Sequence, residues 1–287
     1  MIRALDAGLA RGPHRRRISR LHLLLLPMVV IMIYPLLWLV GSSLKPADSV
    51  FSGSLLPRSF EWNNYSRGWN AVDLSFGKFF VNSIVLCTVA VIGNLISCSM
   101  AGYAFGQLRF RFKKVLFAIM LGSIMLPSNA TLIPQYLLFN QLNWTGTILP
   151  LVAPKFLAVD AFFIFLVVQF VRSLPAELFE AAVMDGASPL RIYWTIVLPL
   201  IKPALVTTAI FTFIWVWNDF FTQLIYLTSP DQYTVPLGLR LFLDATGGSQ
   251  YGPMFAMATL ALIPVTVVFV IFQRFIVEGV VTTGIKG

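Results

Sequence analysis

Residues 180–199 read EAAVMDGASPLRIYWTIVLP and lie between two apolar segments, each long enough to cross a bilayer. The stretch predicts two short helices joined by a tight break. Pro175 suits the opening turn of the first helix, because proline lacks an N–H that would be unpaired there, and Gly186 can adopt the positive φ that ends that helix. Ser188 suits the N-cap of the second helix, and Pro199 is expected to interrupt it. We therefore predict a helical elbow held against the membrane and suited to transmitting force to something outside it.

The composition is that of an integral membrane protein. Of the 287 residues, 57% are hydrophobic and 11% are charged, whereas a soluble domain carries about 25% charged residues. The formal net charge is +9, but the basic residues sit in short segments between apolar runs. Membrane topology and anionic lipid headgroups therefore explain them better than nucleic acid does. Cys87 and Cys98 lie on one predicted helix, roughly 16 Å apart, which is too far for a disulfide bond. We expect both to be buried.

Six apolar segments predict an all-α, polytopic membrane protein. A basic segment at 1–20 precedes the membrane domain at 21–277, and a tail follows at 278–287. The spans are predicted at about 21–44, 76–105, 115–139, 148–171, 204–227 and 254–277, with the elbow in the loop 172–203. A signal peptide is the competing interpretation of the first segment, but that segment is too long and no small-residue cleavage site follows it.

Two of the spans carry features that predict how they pack. In the second span, Gly93, Ser97 and Ala101 recur every four residues, which permits close helix packing. In the third span, Pro127 and Pro134 are expected to produce kinks.

The distribution of basic residues predicts the orientation. Six spans place both termini on one side of the membrane, and the segments of that side hold fifteen of the 21 Lys and Arg residues, against five in the opposite loops. The positive-inside rule therefore predicts that both termini and the elbow are cytosolic.

The elbow carries the spacing E-A-A-x3-G-x9-I-x-L-P, from Glu180 to Pro199. This spacing resembles the EAA loop of ABC-importer permeases, and the version with Asp185-Gly186-Ala187 is similar to the carbohydrate branch, specifically the maltose-permease G-type subunit. An ordinary amphipathic cytosolic loop is the alternative interpretation. Weaker matches occur in the family's order along nearly the whole chain after the first twenty residues: Asn64-Tyr65, Asn82-Ser83, Leu126-Pro127, Ile133 to Tyr136, Gly146-Thr147, Trp217-Asn218-Asp219 and Gly284 to Gly287.

The resemblance implies that the elbow seats in a cleft of an ATPase subunit, where Glu180 pairs with an arginine. The alternative is that Glu180 is a solvated loop charge. Apolar contact is expected from Leu178, Met184, Leu190 and Tyr193. The residues expected to couple the chain to the ATPase are Glu180, Ala181, Ala182, Met184, Asp185, Gly186, Ile196, Leu198 and Pro199.

The resemblance also implies an assembly in a bacterial or archaeal plasma membrane. Its expected parts are this chain, a second related permease subunit, two ATPase subunits and an extracytoplasmic solute-binding protein. The chain itself lacks a G-x-x-x-x-G-K-[S/T] phosphate loop, since Pro253 stands where the spacing of Gly247 and Gly252 would require lysine. We therefore expect ATP and Mg to be bound by the partner ATPase, and we expect no cofactor, metal or catalytic residue in this chain.

The fifth span carries a polar stripe on one predicted helical face. It consists of Thr208, Thr212, Trp215, Asp219 and Thr222, flanked by Asn218. A carboxylate in a span is costly and usually faces a bundle interior or a wet cavity. The stripe therefore lines a translocation path or forms hydrogen bonds between helices; both interpretations stay open.

Asp160 lies in the middle of the fourth predicted span and has the same two interpretations. It lines the path, or it pairs with Lys155 or with the partner subunit. Lys155 and Asp160 are five residues apart, and a regular helix would not align them.

The predicted function is that of an importer subunit that moves a carbohydrate or related polyol inward by alternating access, powered by separate ATPase subunits. The resemblance implies that the loop 228–253 reaches toward the binding protein, although a passive connector is the alternative, and that the tail 284–287 helps contact between ATPase subunits. Two other classes stay open. One is a self-sufficient secondary transporter, which would usually contain an internal repeat; the other is a membrane scaffold that transports nothing.

Overall fold

The structure is a computed structural model that describes residues 20–52, 54–70, 75–243, 248 and 250–281. These residues form helices joined by turns, and no β-strand occurs among them. The helices in chain order are α1 (Arg20–Ser43), α2 (Asn63–Asn70), α3 (Phe76–Gly106), α4 (Lys113–Ser123), α5 (Ser128–Gln141), α6 (Leu149–Val152), α7 (Ala161–Ser173), α8 (Ala176–Met184), α9 (Pro189–Ile192), α10 (Leu198–Leu200), α11 (Lys202–Asn218), α12 (Phe221–Tyr226), α13 (Val235–Arg240) and α14 (Tyr251–Val281). The all-α prediction is confirmed for the described residues, and most of the predicted basic N-terminus and the tail motif 284–287 lie outside them.

Four segments are apolar and long enough to cross a membrane. They are Leu25–Ser43, Phe76–Gly106, Leu149–Ser173 and Tyr251–Gln273. A further candidate is the pair Pro189–Leu200 and Lys202–Asn218, whose axes meet at 76°. The described part of the chain is therefore that of a multi-pass membrane protein, while the number six and the side on which the termini lie stay predictions.

The predicted third span, 115–139, is two helices and not one. α4 ends at Ser123 and α5 begins at Ser128, and Pro127 has extended backbone angles directly before α5. Proline cannot donate a backbone hydrogen bond and disfavours helical angles at the residue before it. At Pro127 the expected kink is thus a complete break, whereas Pro134 lies inside α5.

The bundle is organised around α3, which packs against α7 and α11. The small residues of α3 contact a neighbour as predicted: a Cβ added to Gly93 would lie 2.6 Å from the ring of Phe156. Ser97 donates to the carbonyl of Lys155 at 2.6 Å, and Ala101 packs against the cluster of buried residues around Phe163. The small side chains on this face of α3 therefore let the irregular segment before α7 approach the α3 backbone. Both cysteines of α3 are buried and free, as predicted.

Much of the predicted loop 228–253 is bound to the start of α3. The side-chain amide of Asn82 donates to the carbonyls of Asp231 and Tyr233, both at 2.9 Å. The backbone N–H of Val235, the first residue of α13, donates to Ser83 Oγ at 2.8 Å. These bonds fix the first part of the loop, whereas residues 244–247 and 249 lie outside the described residues.

Candidate functional site

The first half of the elbow ends as its sequence predicts. α8 stops at Met184, and Gly186 has φ 74°. The N–H of Gly186 donates to the carbonyl of Val183 at 3.0 Å, and the N–H of Ala187 donates to the carbonyl of Ala182 at 2.9 Å. These two bonds form a Schellman motif, which requires a left-handed residue and therefore favours glycine.

The second half of the elbow begins as predicted and ends two residues later than predicted. Ser188 is the N-cap of α9, and its side chain accepts from the N–H of Arg191 at 3.3 Å. A π-turn at Tyr193–Val197 then joins α9 to α10. The sharp bend lies at Ile201 and not at Pro199, because the wider π-turn lets the helix continue past a residue that has no N–H to donate. The prediction that Pro199 interrupts this helix is therefore wrong in position.

One face of the elbow is anchored to the bundle. Phe179, Ala182 and Ile192 are buried in one cluster with Val167 and Val171 of α7 and Tyr103 of α3. Two hydrogen bonds join the same surfaces: the hydroxyls of Ser99 and Tyr193 lie 2.7 Å apart, and Tyr103 donates to the carbonyl of Pro189 at 3.2 Å. The elbow is thus fixed to the bundle by apolar burial and by hydrogen bonds.

Several residues predicted to face a partner belong to this anchored face. Tyr193 is only 3% exposed, so it does not supply the outward apolar contact that was expected of it. Ala182 is buried, and Ile196 and Leu198 pack against the same cluster. Ala182 follows Phe179 by three residues on α8 and therefore shares its face. Tyr193, Ile196 and Leu198 lie beyond the break at Gly186, so their own contacts with the bundle set their orientation.

The opposite face of the elbow is apolar and exposed. We call its five side chains the outer face: Leu178, Val183, Met184, Leu190 and Trp194, with exposures of 41, 62, 86, 59 and 58%. Leu178, Met184 and Leu190 were predicted to contact a partner, whereas Val183 and Trp194 were missed. Trp194 follows Leu190 by four residues, and this helical spacing is the signal that could have identified it.

Charged groups border the outer face. Glu180 is exposed next to exposed Ala181, and Asp185 and Arg191 are exposed as well. Within the described residues, the carboxylate of Glu180 forms no ion pair. The outer face thus combines exposed apolar side chains with the carboxylate of Glu180, which has no ion-pair partner among the described residues.

The second candidate region lies inside the bundle and centres on an ion pair. Lys155 Nζ lies 2.8 Å from Asp160 Oδ2, and the two side chains are 21 and 22% exposed. The expectation that these residues do not align assumed a regular helix. Lys155 lies in a 3-10 turn that ends with Ala158 at φ 54°, and α7 begins only after Asp160. This break turns the two side chains toward each other.

The polar stripe of the fifth predicted span is divided between two environments. Thr208 and Thr212 are buried; Thr208 donates to the carbonyl of Ala204 at 2.9 Å, and Thr212 Oγ1 accepts from Asn94 of α3 at 2.8 Å. Trp215 is 49% exposed and its ring packs against Phe162 and Phe163 of α7. Thr212 therefore joins α11 to α3, Thr208 bonds within α11, and Trp215 is half exposed.

The far end of the stripe leaves the helix. α11 ends at Asn218, whose side chain donates to the carbonyl of Ile214 at 2.8 Å. Asp219 is extended, and its Oδ1 accepts from the N–H of Thr222 at 3.1 Å. The expectation of one continuous face from Thr208 to Thr222 is therefore wrong beyond Asn218.

Known proteins match this architecture over most of its length. Residues 93–282 match the family described as binding-protein-dependent transport system inner membrane component. The galactooligosaccharides transport system permease protein GanQ of Bacillus subtilis is 32% identical over 276 residues, covering 95% of this chain and 98% of GanQ. The trehalose transport system permease protein SugB of Mycobacterium tuberculosis is 34% identical over 261 residues, covering 88% and 92%. A chain from a bacterial ABC transporter that imports the acidic polysaccharide alginate has a TM-score of 0.78 at 25% identity and covers 92% of this chain and 99% of that chain.

Proposed function

Because this chain belongs to the family of inner membrane components of binding-protein-dependent transport systems, and to the carbohydrate permeases of ABC importers within it, we propose that it moves an oligosaccharide or related polyol inward by alternating access. The proposed assembly contains a second permease subunit, two ATPase subunits that bind ATP and Mg, and an extracytoplasmic solute-binding protein. The proposed location is the plasma membrane of a bacterium or archaeon, with six spans and both termini in the cytosol.

The observation that carries the proposal is the two-faced elbow. Its inner face is buried with Tyr103, Val167 and Val171 of the bundle, so the elbow and the bundle move together. Its outer face exposes five apolar side chains, among them Met184 at 86%. Burying one such side chain against a partner stabilises the contact by roughly 1.5–3 kcal/mol. A protein that seats on the outer face therefore has a direct mechanical connection to the spans.

Glu180 gives this contact its specificity. The carboxylate is exposed beside Ala181, so a partner cation can approach it without meeting a bulky neighbour. We propose that it pairs with an arginine of the ATPase. Each nucleotide state of the ATPase then favours one conformation of the spans, which is how ATP binding shifts the equilibrium between inward-open and outward-open forms.

The translocation path is assigned to the exposed part of the polar stripe. Trp215 and Asn218 are exposed and Thr222 is partly exposed, and the Trp215 ring packs against Phe162 and Phe163, which follow Asp160 in the sequence. Binding sites for small molecules combine apolar and aromatic walls with a few fixed polar groups, and this part of the chain has that character. The proposed path leaves out Thr208 and Thr212, and the burial of both side chains supports this choice.

The test is uptake by proteoliposomes that contain this chain with its co-purifying subunits and binding protein. The labelled probes are trehalose, a galactooligosaccharide and an arabinooligosaccharide. Uptake of one of them is expected with ATP on the ATPase side and not with an ion gradient alone. Uptake driven by a gradient without any ATPase would instead identify a secondary transporter.

A substitution that removes only the charge of Glu180 tests the proposed pairing of the elbow with the ATPase. Glu180→Gln is expected to lower ATP-driven uptake at least tenfold, because a hydrogen bond between charged groups contributes about 1.5–3 kcal/mol. Glu177→Gln removes an exposed carboxylate from the same helix but outside the motif, and it should leave uptake unchanged. Equal losses in the two variants would show that Glu180 has no specific role.

A further inference from the structure

A group of basic side chains lies where α3 and α7 end together, outside the elbow and the path. We call it the basic corner: Arg109, Arg111, Lys113, Lys114 and Arg172. The spans end at Gly106 and Ser173, and a Cβ on Gly106 would lie 2.6 Å from Val171. The corner thus begins directly beyond the adjoining ends of two spans, which is the depth of the lipid headgroups.

Contacts bring the cations of the corner together. Arg172 Nη2 donates to the carbonyl of Phe105 at 3.4 Å, and Lys113 Nζ donates to the carbonyl of Leu108 at 2.7 Å. Burial, followed by the positive charges of Arg172 and Arg109, lowers the pKa of the Lys113 ammonium. Arg172 of α7 and Lys113 of α4 thus both bind carbonyls at or just after the end of α3, and Arg109 directly follows one of these carbonyls in the sequence.

The acidic residues among those that the structure describes do not neutralise this charge. Within the described residues, none of the five cations forms an ion pair with a carboxylate; the ion pairs found there are Lys78–Asp231 and Lys155–Asp160. The carbonyls at the end of α3 accept from one cation each and carry only partial negative charge. Lys113 and Lys114 also occupy the first turn of α4, where the positive end of the helix dipole makes cations unfavourable. Across the described ranges, the corner therefore has no anionic partner.

Exposed aromatic rings lie within the corner. Phe110 and Phe112 are 40 and 62% exposed, and the guanidinium of Arg111 lies 4.9 Å from the centre of the Phe112 ring. Phe112 has φ 63°, a left-handed conformation that is rare for a bulky residue. Exposure of these rings to water is unfavourable, whereas the boundary between lipid headgroups and acyl chains suits aromatic rings flanked by cations.

We propose that the basic corner binds the phosphodiester headgroup of an anionic phospholipid such as phosphatidylglycerol. The phosphate accepts from Arg109, Lys113 and Arg172, and the acyl chains cover Phe110 and Phe112. Arg172 lies in the last turn of α7, directly before the elbow, so a lipid bound here joins the turn after α3 to the base of the elbow. The proposal requires only that the chain lies in a bilayer, and it does not depend on the solute or on the ATPase contact.

The first test is native mass spectrometry of the full chain with its co-purifying subunits. Phosphatidylglycerol and phosphatidylcholine are added at equal concentration. The double variant Arg109→Gln, Arg172→Gln is expected to bind phosphatidylglycerol about thirty-fold more weakly than the wild type, since each basic side chain adds to the attraction of an anionic surface. Arg109→Gln alone, which removes no hydrogen bond that caps α3, should weaken it about five-fold. Binding of phosphatidylcholine should not change.

The matched control is Arg58→Gln, Arg240→Gln, which removes two exposed arginines elsewhere. It should bind phosphatidylglycerol as the wild type does, and an equal loss in this control would overturn the proposal. The second test is thermal unfolding in bilayer discs. The wild type should melt higher in phosphatidylglycerol than in phosphatidylcholine, and the variant of the corner should melt equally in both. A variant that melts lower than the wild type by the same amount in both lipids would assign the cations to fold stability and overturn the proposal.

Discussion

The elbow exposes its apolar side chains and a carboxylate without an ion-pair partner among the described residues, whereas the bundle pairs Lys155 with Asp160. The outer face of the elbow is exposed, and Glu180 has no ion-pair partner within the described residues. Lys155 and Asp160 pair with each other, and Thr212 nearby accepts from Asn94. A contact surface for another protein is left open in the isolated chain, whereas polar groups inside a membrane bundle must be satisfied at once, because lipid offers no hydrogen bonds. Variants of the elbow should therefore change assembly, and variants of the ion pair should change folding.

The largest expected effect separates assembly from folding. Met184→Ser with Trp194→Ser removes two exposed apolar side chains, and it should weaken binding of the ATPase subunits by about 3 kcal/mol, or roughly a hundredfold. The melting temperature of the chain should not fall. Leu56→Ser with Phe60→Ser is the matched control, since these side chains are 75 and 62% exposed and lie outside the elbow. Equal weakening by both pairs would remove the distinction between the two regions.

The next effect concerns the ion pair. Lys155→Met leaves Asp160 without its partner in a partly buried site and should destabilise the chain by about 2–3 kcal/mol, measured by unfolding in mixed micelles. Adding Asp160→Asn should restore much of this loss. Lys78→Met is the control, because the Lys78–Asp231 pair is 43 and 65% exposed and should contribute less than about 1 kcal/mol. A control loss as large as that of Lys155→Met would contradict the assignment.

A smaller effect is expected at the turn of the elbow. Gly186→Ala should cost about 1 kcal/mol, because alanine must adopt a left-handed conformation there. Gly122→Ala is the control and should be neutral or slightly stabilising, because Gly122 lies in α4. A Cβ added at Gly122 or at Gly186 would meet no atom within 4 Å, so the two variants differ in backbone conformation and not in available space. Hydrogen exchange at the end of α8 should accelerate only in the first variant. Similar behaviour of the two variants would mean that the backbone angle is unimportant.

The smallest effect concerns the bond between α3 and α11. A double-mutant cycle with Asn94→Ala and Thr212→Val should give a coupling energy of about 0.6 kcal/mol, which is typical of hydrogen bonds between membrane helices. The measurement is unfolding of the four proteins in mixed micelles, and transport should retain its maximal rate. A fall in transport without a fall in stability would return Thr212 to the translocation path.

The elbow could be predicted because its determinants are contiguous. Gly186 and Ser188 act on backbone groups within three residues of themselves, so the sequence contains the whole arrangement. The contacts inside the bundle could not be predicted in this way. The Lys155–Asp160 pair depends on Ala158 adopting a left-handed conformation, which nothing in the local sequence indicates. The outward prediction for Tyr193 failed for a related reason, because its hydroxyl meets Ser99 of a helix 94 residues earlier.

The bend at Ile201 has a mechanical consequence. The arm Pro189–Leu200 meets the shaft Lys202–Asn218 at 76°, and the joint residue is fully buried. A sideways force on Pro189–Leu200 therefore exerts a torque on Lys202–Asn218. Twelve helical residues make an arm of about 18 Å, so pushing its tip sideways by one helical pitch, about 5.4 Å, turns the shaft about its own axis by roughly 17°. A sideways displacement of Pro189–Leu200 thus becomes a rotation of α11 about its own axis, which redirects Trp215.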